Sequence, residues 1–242
     1  MTFISFDATR DRMFSVGDLV DRGPKNVECL ELLREPWFHA VKGNHEDLMI
    51  DWFTDGPSRN WWFPNGGNWF SDIQNTDAGD VVRIDLLPRV QALPLIITVQ
   101  GKFHVIHAEF MWDEHISDAD LANEKSFMLE ATQRSMDGDT IIWGRNMFMS
   151  FYGQKPDAMD VKILADSFIA PILQTSNVLP IFSGHTPMVG PTKIGPQINI
   201  DTMAFGTGRR PWAGLTIAEP ETGNFWKVTD DDIETQTLTV LL

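Results

Sequence analysis

The chain has 242 residues, 43% hydrophobic and 11% aromatic, enough apolar side chains for a substantial core. Its 34 acidic against 19 basic residues give a formal charge of −15, which argues against a nucleic-acid partner or an anionic membrane surface. A single cysteine, Cys29, rules out an internal disulfide and fits a reducing compartment.

Met1 to Asp7 has neither a basic region nor a long apolar stretch, so no signal peptide is predicted. No window approaches the roughly 20 apolar residues of a membrane span, and the expected location is cytoplasmic. Met13 to Val16 reads as a buried strand, followed by the loop Gly17-Asp18-Leu19-Val20-Asp21-Arg22-Gly23. A helix is predicted over about 25–35: Pro24 suits its first turn, where a missing N–H costs nothing, and Val27, Leu30 and Leu33 share one face. Cys29 lies in this helix among apolar neighbours and reads as a structural thiol. A second strand, Trp37 to Val41, leads through Gly43-Asn44-His45-Glu46 into a helix starting near 45. Strand, helix, strand in this order predicts parallel pairing.

Asp51 to Asp72 is dense in Trp and Gly and reads as packed core rather than a lid. Helix resumes over about 78–92, with Val82, Leu86 and Val90 at helical spacing. Leu95 to Val99 and Phe103 to His107 form a predicted hairpin around Gln100-Gly101-Lys102. A variable helical insertion is placed at about 110–140, with most of its helix between Asp118 and Met136. Then come a strand at Ile141-Ile142-Trp143, a helix near 158–173, and a strand at Val178 to Phe182 entering Ser183-Gly184-His185-Thr186-Pro187. Short strands are predicted at 197–201, 213–218 and 224–228, and a frayed edge from Asp230. The fold class is α/β, a layered sandwich forming a single domain over 1–242.

Asp18, Asn44, His107 and His185 each follow a predicted strand, the position where open α/β folds bind ligands. Oxygen and imidazole donors without thiolate suit Mn, Fe or Zn, and one bridging carboxylate would serve two cations. Two metals activate water at neutral pH and stabilise displacement at phosphorus. An Asp21–His45 pair would provide a general acid for the leaving group, and Arg22 and Arg145 a phosphate clamp. His39, His104 and His115 read as structural histidines, and Glu46 as a cap on the helix that follows it.

These segments together, Gly17 to Gly23, Gly43 to Glu46, His107-Ala108-Glu109 and Gly184-His185-Thr186-Pro187, resemble the phosphoprotein phosphatase family of metallophosphoesterases. The resemblance is to the small bacterial and bacteriophage Ser/Thr protein phosphatases. It extends to Val27 to Leu32, to Pro36-Trp37-Phe38 and to the turn Asn65-Gly66-Gly67, and is loosest between about 110 and 180. It implies a calcineurin-like β-sandwich flanked by helices, two divalent cations, often Mn, and hydrolysis by a metal-bound hydroxide. Carried over residue by residue, Asp18 is the bridging ligand, Asn44, His107 and His185 are further ligands, and His185 belongs to the first metal. His45 is the acid paired with Asp21, while Arg22 and Arg145 bind phosphate.

The chain departs from the family at its start, where members have a strand and a Gly-Asp-x-His-Gly loop that binds the first metal. Nothing before Gly17 matches, and Asp7 and Asp11 read as turn or solvated residues. The missing strand–loop–helix amounts to about 30 residues, one βαβ step, and leaves the first metal site incomplete. A late start, a separately encoded first part and a degenerate protein are all open readings. Activity in this chain alone is expected to be weak or absent. The substrate class implied is phosphoserine and phosphothreonine proteins or small phosphoesters. The alternatives are a bis(5'-nucleosyl)-tetraphosphatase and an impaired phosphate-binding pseudo-phosphatase.

Overall fold

Met13–Ser15 (β1) and Phe38–Ala40 (β2) pair in parallel, Met13 opposite Phe38 and Ser15 opposite Ala40, as the strand–helix–strand pattern predicts. They belong to a computed structural model that describes residues 4–110, 117–123, 140–151 and 178–240. The chain divides into two compact units, residues 1–95 and 96–242.

In the first unit, Asn26–Glu31 (α1) runs on as a tighter turn over Leu32–Arg34 and carries the chain from β1 to β2. Leu30 is fully buried, and Val27, Cys29 and Leu33 are half-buried. Burial, then the neighbouring Glu28 charge, pushes the Cys29 thiol up, which keeps it protonated and unreactive. Asn44–Thr54 (α2) begins directly after Gly43 and buries Leu48 and Met49. Asp7 accepts the Thr9 N–H on its side chain at 3.0 Å, so it is a turn residue as the sequence predicts.

The Trp-rich stretch packs as core. Trp62 is fully buried, in ring contact with Trp52, Phe53, Phe63, Trp69 and Phe70. The single helix predicted over 78–92 is interrupted: Asp77–Val81 (α4, after Trp69–Ile73, α3) passes through a wide π turn at Val82–Leu86 into Leu87–Gln91 (α5). Pro88 is the cause. It lacks an N–H, and its ring would strike the carbonyl one turn back in a continuous α-helix. The apolar stripe survives the interruption, with Val82, Leu86 and Val90 fully buried.

The second unit is built on a six-stranded sheet in the order β11-β6-β7-β5-β4-β3. Ile97–Val99 (β3) and Phe103–Val105 (β4) form the predicted hairpin. Ile181–Ser183 (β5) lies parallel to β4, and Gln197–Asn199 (β7) parallel to β5. Thr192–Ile194 (β6), which the sequence reading passes over, is antiparallel to β7 across the turn at Gly195-Pro196. Val105, Ile106, Ile181, Phe182, Ile194 and Ile198 supply buried apolar side chains along this sheet. Leu215–Glu219 (β8), Asn224–Val228 (β9) and Ile233–Gln236 (β10) form a separate antiparallel sheet.

Two expectations are corrected. The tail from Asp230 is not frayed: β10 pairs with β9, and Thr239–Val240 (β11) pairs with β6. Its exposed, polar side chains hide this from a search for apolar alternation, because the pairing is carried by backbone groups. Ile141-Ile142-Trp143 is not a strand but part of the helix Thr140–Trp143 (α7 after Asp118–Ala122, α6), with Ile141 and Ile142 buried. A short apolar run has no periodicity to separate buried strand from buried helix. The helix predicted near 158–173 lies outside the described residues, as does most of the insertion at about 110–140. Among the described residues no helix is long and apolar enough to cross a membrane.

Leu86 is fully buried whereas Ile84, in the same π turn, is 76% exposed. Leu86→Ala is expected to cost about 2–5 kcal/mol in urea unfolding, and Ile84→Ala less than about 0.5 kcal/mol.

Candidate active site

The loop after β1 is held by one buried carboxylate. Glu46, with no exposure, sits in the first turn of α2 and accepts three backbone N–H groups. They come from Gly43 at 2.9 Å, Asp18 at 2.8 Å and Leu19 at 2.7 Å. The first is the helix cap that the sequence predicts, and the other two tie the loop to the helix. Burial, then the nearby Asp18 charge, pushes Glu46 up to about 7 against the pull of its three donors. Gly43 is required here: a Cβ would lie 2.3 Å from Asp18 Oδ1 and 2.9 Å from Glu46 Oε2. The Asp18 Oδ1 in turn accepts the His45 N–H at 3.2 Å, so the bottom of the loop and the top of α2 are joined in both directions.

Asp18, Asp21 and Arg22 all have left-handed backbone, with φ of 56°, 78° and 64°. Non-glycine residues rarely adopt it, and each instance costs on the order of 1–3 kcal/mol. Surrounding bonds hold them there. The Asp21 N–H donates to Asn26 Oδ1 at 2.6 Å, and Asn26 donates to Gly23 O at 2.9 Å. Gly66, itself at φ 126°, packs so closely that a Cβ would lie 2.9 Å from Asp21 Cβ. Arg22 is exposed and donates to Asn65 O at 3.2 Å, so the Asn65-Gly66-Gly67 turn buttresses this loop.

Asp21 and His45 meet as predicted, His45 Nδ1 to Asp21 Oδ2 at 2.5 Å, with both side chains almost fully buried. His45 Nε2 is 4.0 Å from Asp18 Oδ2. Burial works against the charged imidazole, but the Asp21 hydrogen bond and then the Asp18 and Asp21 charges outweigh it and raise His45 above its ordinary value. Two indoles, unmarked by the sequence reading, also reach this carboxylate. Trp62 Nε1 donates to Asp21 Oδ2 at 3.1 Å, and Trp69 Nε1 to Asp21 Oδ1 at 2.8 Å. Asn44 opens α2 and is buried.

In the second unit, His107 follows β4 and His185 follows β5, at the carboxyl ends of neighbouring parallel strands. Both are buried, and His107 Nε2 lies 3.1 Å from His185 Nδ1. Gly184 N–H donates to His107 O at 2.7 Å, which joins the two loops. His185 is again left-handed, φ 67°. Arg145 is exposed and donates from Nη1 to His185 O at 2.9 Å.

The supports of this pair carried no sequence signal, because they are ordinary amides at strand positions on β7. Buried Gln197 donates to Ala108 O at 2.8 Å and Ser183 Oγ at 2.9 Å, and accepts the Phe110 N–H at 3.3 Å. Buried Asn199 donates to Gly184 O at 3.2 Å and Thr186 O at 2.9 Å. Glu109 is buried, accepts the Met147 N–H at 2.6 Å, and burial pushes it up to about 7 against that bond and the Arg145 charge.

The donor set fits a divalent cation of borderline hardness. Two buried imidazoles with ring nitrogens 3.1 Å apart are placed to share a proton or face a cation, and the chain's one cysteine, Cys29, belongs to the first unit. The sequence matches the calcineurin-like phosphoesterase family over residues 4–189. It is similar to serine/threonine-protein phosphatase 2 of Escherichia coli, 34% identical over 157 residues, 60% of this chain and 71% of that protein. It is also similar to a symmetrical bis(5'-nucleosyl)-tetraphosphatase of Methylococcus capsulatus, 32% identical over 65% of this chain and 50% of that protein. Among solved structures, a cold-active protein tyrosine phosphatase superposes with a TM-score of 0.54 at 17% identity, covering 93% of this chain and 67% of its own. That likeness establishes a common fold.

Glu46→Gln would set an amide N–H₂ against backbone donors. It is expected to lower stability by about 1–3 kcal/mol, and hydrogen exchange should show the Asp18 and Leu19 amides losing protection.

Proposed function

Because the chain belongs to the calcineurin-like phosphoesterase family, we propose that it removes phosphate from phosphoserine and phosphothreonine side chains of proteins in a metal-dependent hydrolysis. The observation that carries this reading is the buried His45–Asp21 pair, 2.5 Å apart, formed between the first turn of α2 and the strained loop that also holds Asp18. Holding Asp21 in a loop of left-handed residues against the buried imidazole of α2 opposes folding, and protonation of a leaving group is a use that accounts for it.

Asp18, Asn44, His107 and His185 are proposed to hold two divalent cations, Mn foremost, with Fe or Zn as alternatives. The cations would supply Lewis-acid activation of water and compensate charge on the phosphate. The residues of the chain do the rest. His45 donates a proton to the departing oxygen and Asp21 orients it. The exposed guanidiniums of Arg22 and Arg145 bind phosphate oxygens. The lone cysteine fits a reducing, cytoplasmic setting.

A second reading, hydrolysis of a dinucleoside tetraphosphate, is favoured by the 32% identity to the Methylococcus capsulatus protein. Comparison of a phosphoserine peptide with diadenosine tetraphosphate separates the two.

Hydrolysis of p-nitrophenyl phosphate is expected to require Mn, and excess chelator should stop it. In His45→Asn, kcat on a phosphoserine peptide should fall by about 100- to 10,000-fold. Turnover that survives chelation, or full activity in His45→Asn, would contradict the proposal.

A further inference from the structure

Asp21 is clamped from more sides than a partner for His45 requires. Its side chain has no exposure and meets three ring nitrogens: His45 Nδ1 and the donor Trp62 Nε1 at Oδ2, and the donor Trp69 Nε1 at Oδ1. Its N–H is fixed by Asn26. An indole N–H can only donate, so both carboxylate oxygens must accept from these rings. That leaves His45 Nδ1 one role, as donor, and turns Nε2 away from Asp21.

Packing alone does not explain the indole orientation. Trp62 is fully buried among rings, an apolar place that a ring without an N–H would also suit. Trp69 is half-buried, stands edge-on to Trp62 at 5.9 Å and 89°, and could expose its N–H to water. Both instead spend that N–H on one carboxylate.

We infer that Trp62 and Trp69 are positioning residues which lock Asp21 and so fix the His45 imidazole with Nδ1 protonated and Nε2 directed away from Asp21. The inference rests on the hydrolase reading for its catalytic consequence. In that reaction a water oxygen forms the new bond to phosphorus while the bond from phosphorus to the ester oxygen breaks, its electron pair staying on that oxygen. The Nε2 proton passes to the ester oxygen, the proton lost by water goes to solvent, and solvent reprotonates His45. A loosened imidazole therefore matters most where the leaving oxygen is most basic.

Trp69→Phe keeps an aromatic ring at a half-buried position while it removes the donor and part of the indole's bulk, and Trp62→Phe is the second variant. Two readouts are compared. The first is ¹⁵N-histidine NMR of the metal-free protein at a pH where His45 is neutral, its signals assigned by their loss in His45→Asn. The second is kcat and KM on phenyl phosphate and p-nitrophenyl phosphate with Mn.

Wild-type His45 should be a single Nδ1–H tautomer, and Trp69→Phe should populate the Nε2–H form. In that variant kcat on phenyl phosphate should fall about tenfold more than on p-nitrophenyl phosphate, with KM unchanged, because general-acid catalysis serves the poorer leaving group. An unchanged tautomer in both folded variants would overturn the inference whatever the rates, and so would equal losses on the two esters. A wild-type protein that hydrolyses neither ester would overturn the hydrolase reading instead, and the tautomer result would then decide the clamp by itself.

Discussion

The Glu46 carboxylate is the contact on which the first unit's chemistry depends. An isolated buried carboxylate would be expelled or neutralised. Here two oxygens collect the N–H groups of Gly43, Asp18 and Leu19. Bonds of this charge-assisted kind contribute about 1.5–3 kcal/mol each. That is the scale needed to hold Asp18 in left-handed backbone, which costs about 1–3 kcal/mol. The same contact sets the start of α2, and with it the placement of Asn44 and His45 in its first turn. One side chain thus couples a loop, a helix cap and three candidate site residues.

The second unit solves the equivalent problem with amides instead of charge. Gln197 and Asn199, two residues apart on β7, point to the same face of the strand. There they donate to carbonyls of the segments that carry His107 and His185. Neutral donors suit this place, since an added carboxylate would compete for any cation the imidazoles bind, whereas a bonded amide does not. Strain again falls at a candidate site residue, His185. Among the described residues, four of the seven left-handed non-glycine positions, Asp18, Asp21, Arg22 and His185, are residues to which the sequence assigns chemistry.

The parallel β1–β2 pair, the hairpin and the buried stripe of Val82, Leu86 and Val90 were legible because they rest on local pattern: apolar runs, helical spacing and turn residues. The Asp21–His45 pair was legible because the spacing of two loops places acid and imidazole at adjacent strand ends. What stayed hidden was non-local. Nothing around Trp62 and Trp69 announces that their N–H groups converge on a residue more than forty positions earlier. Glu46 showed its capping half, a contact three residues away, but not its reach back to 18 and 19. Pro88 was a local signal that the stripe of apolar residues masked. The edge strands β10 and β11 pair through backbone groups, which no side-chain pattern reports.

Whether Asp18, Asn44, His107 and His185 are ligands of divalent cations is tested most directly by calorimetric titration of the metal-free protein with Mn. The wild-type chain should bind Mn, and Asp18→Asn, His107→Ala and His185→Ala should each weaken binding by more than about tenfold, since even supporting residues of metal sites carry that much. Folded variants that keep the wild-type affinity, or a wild-type chain that binds no Mn, would contradict that role.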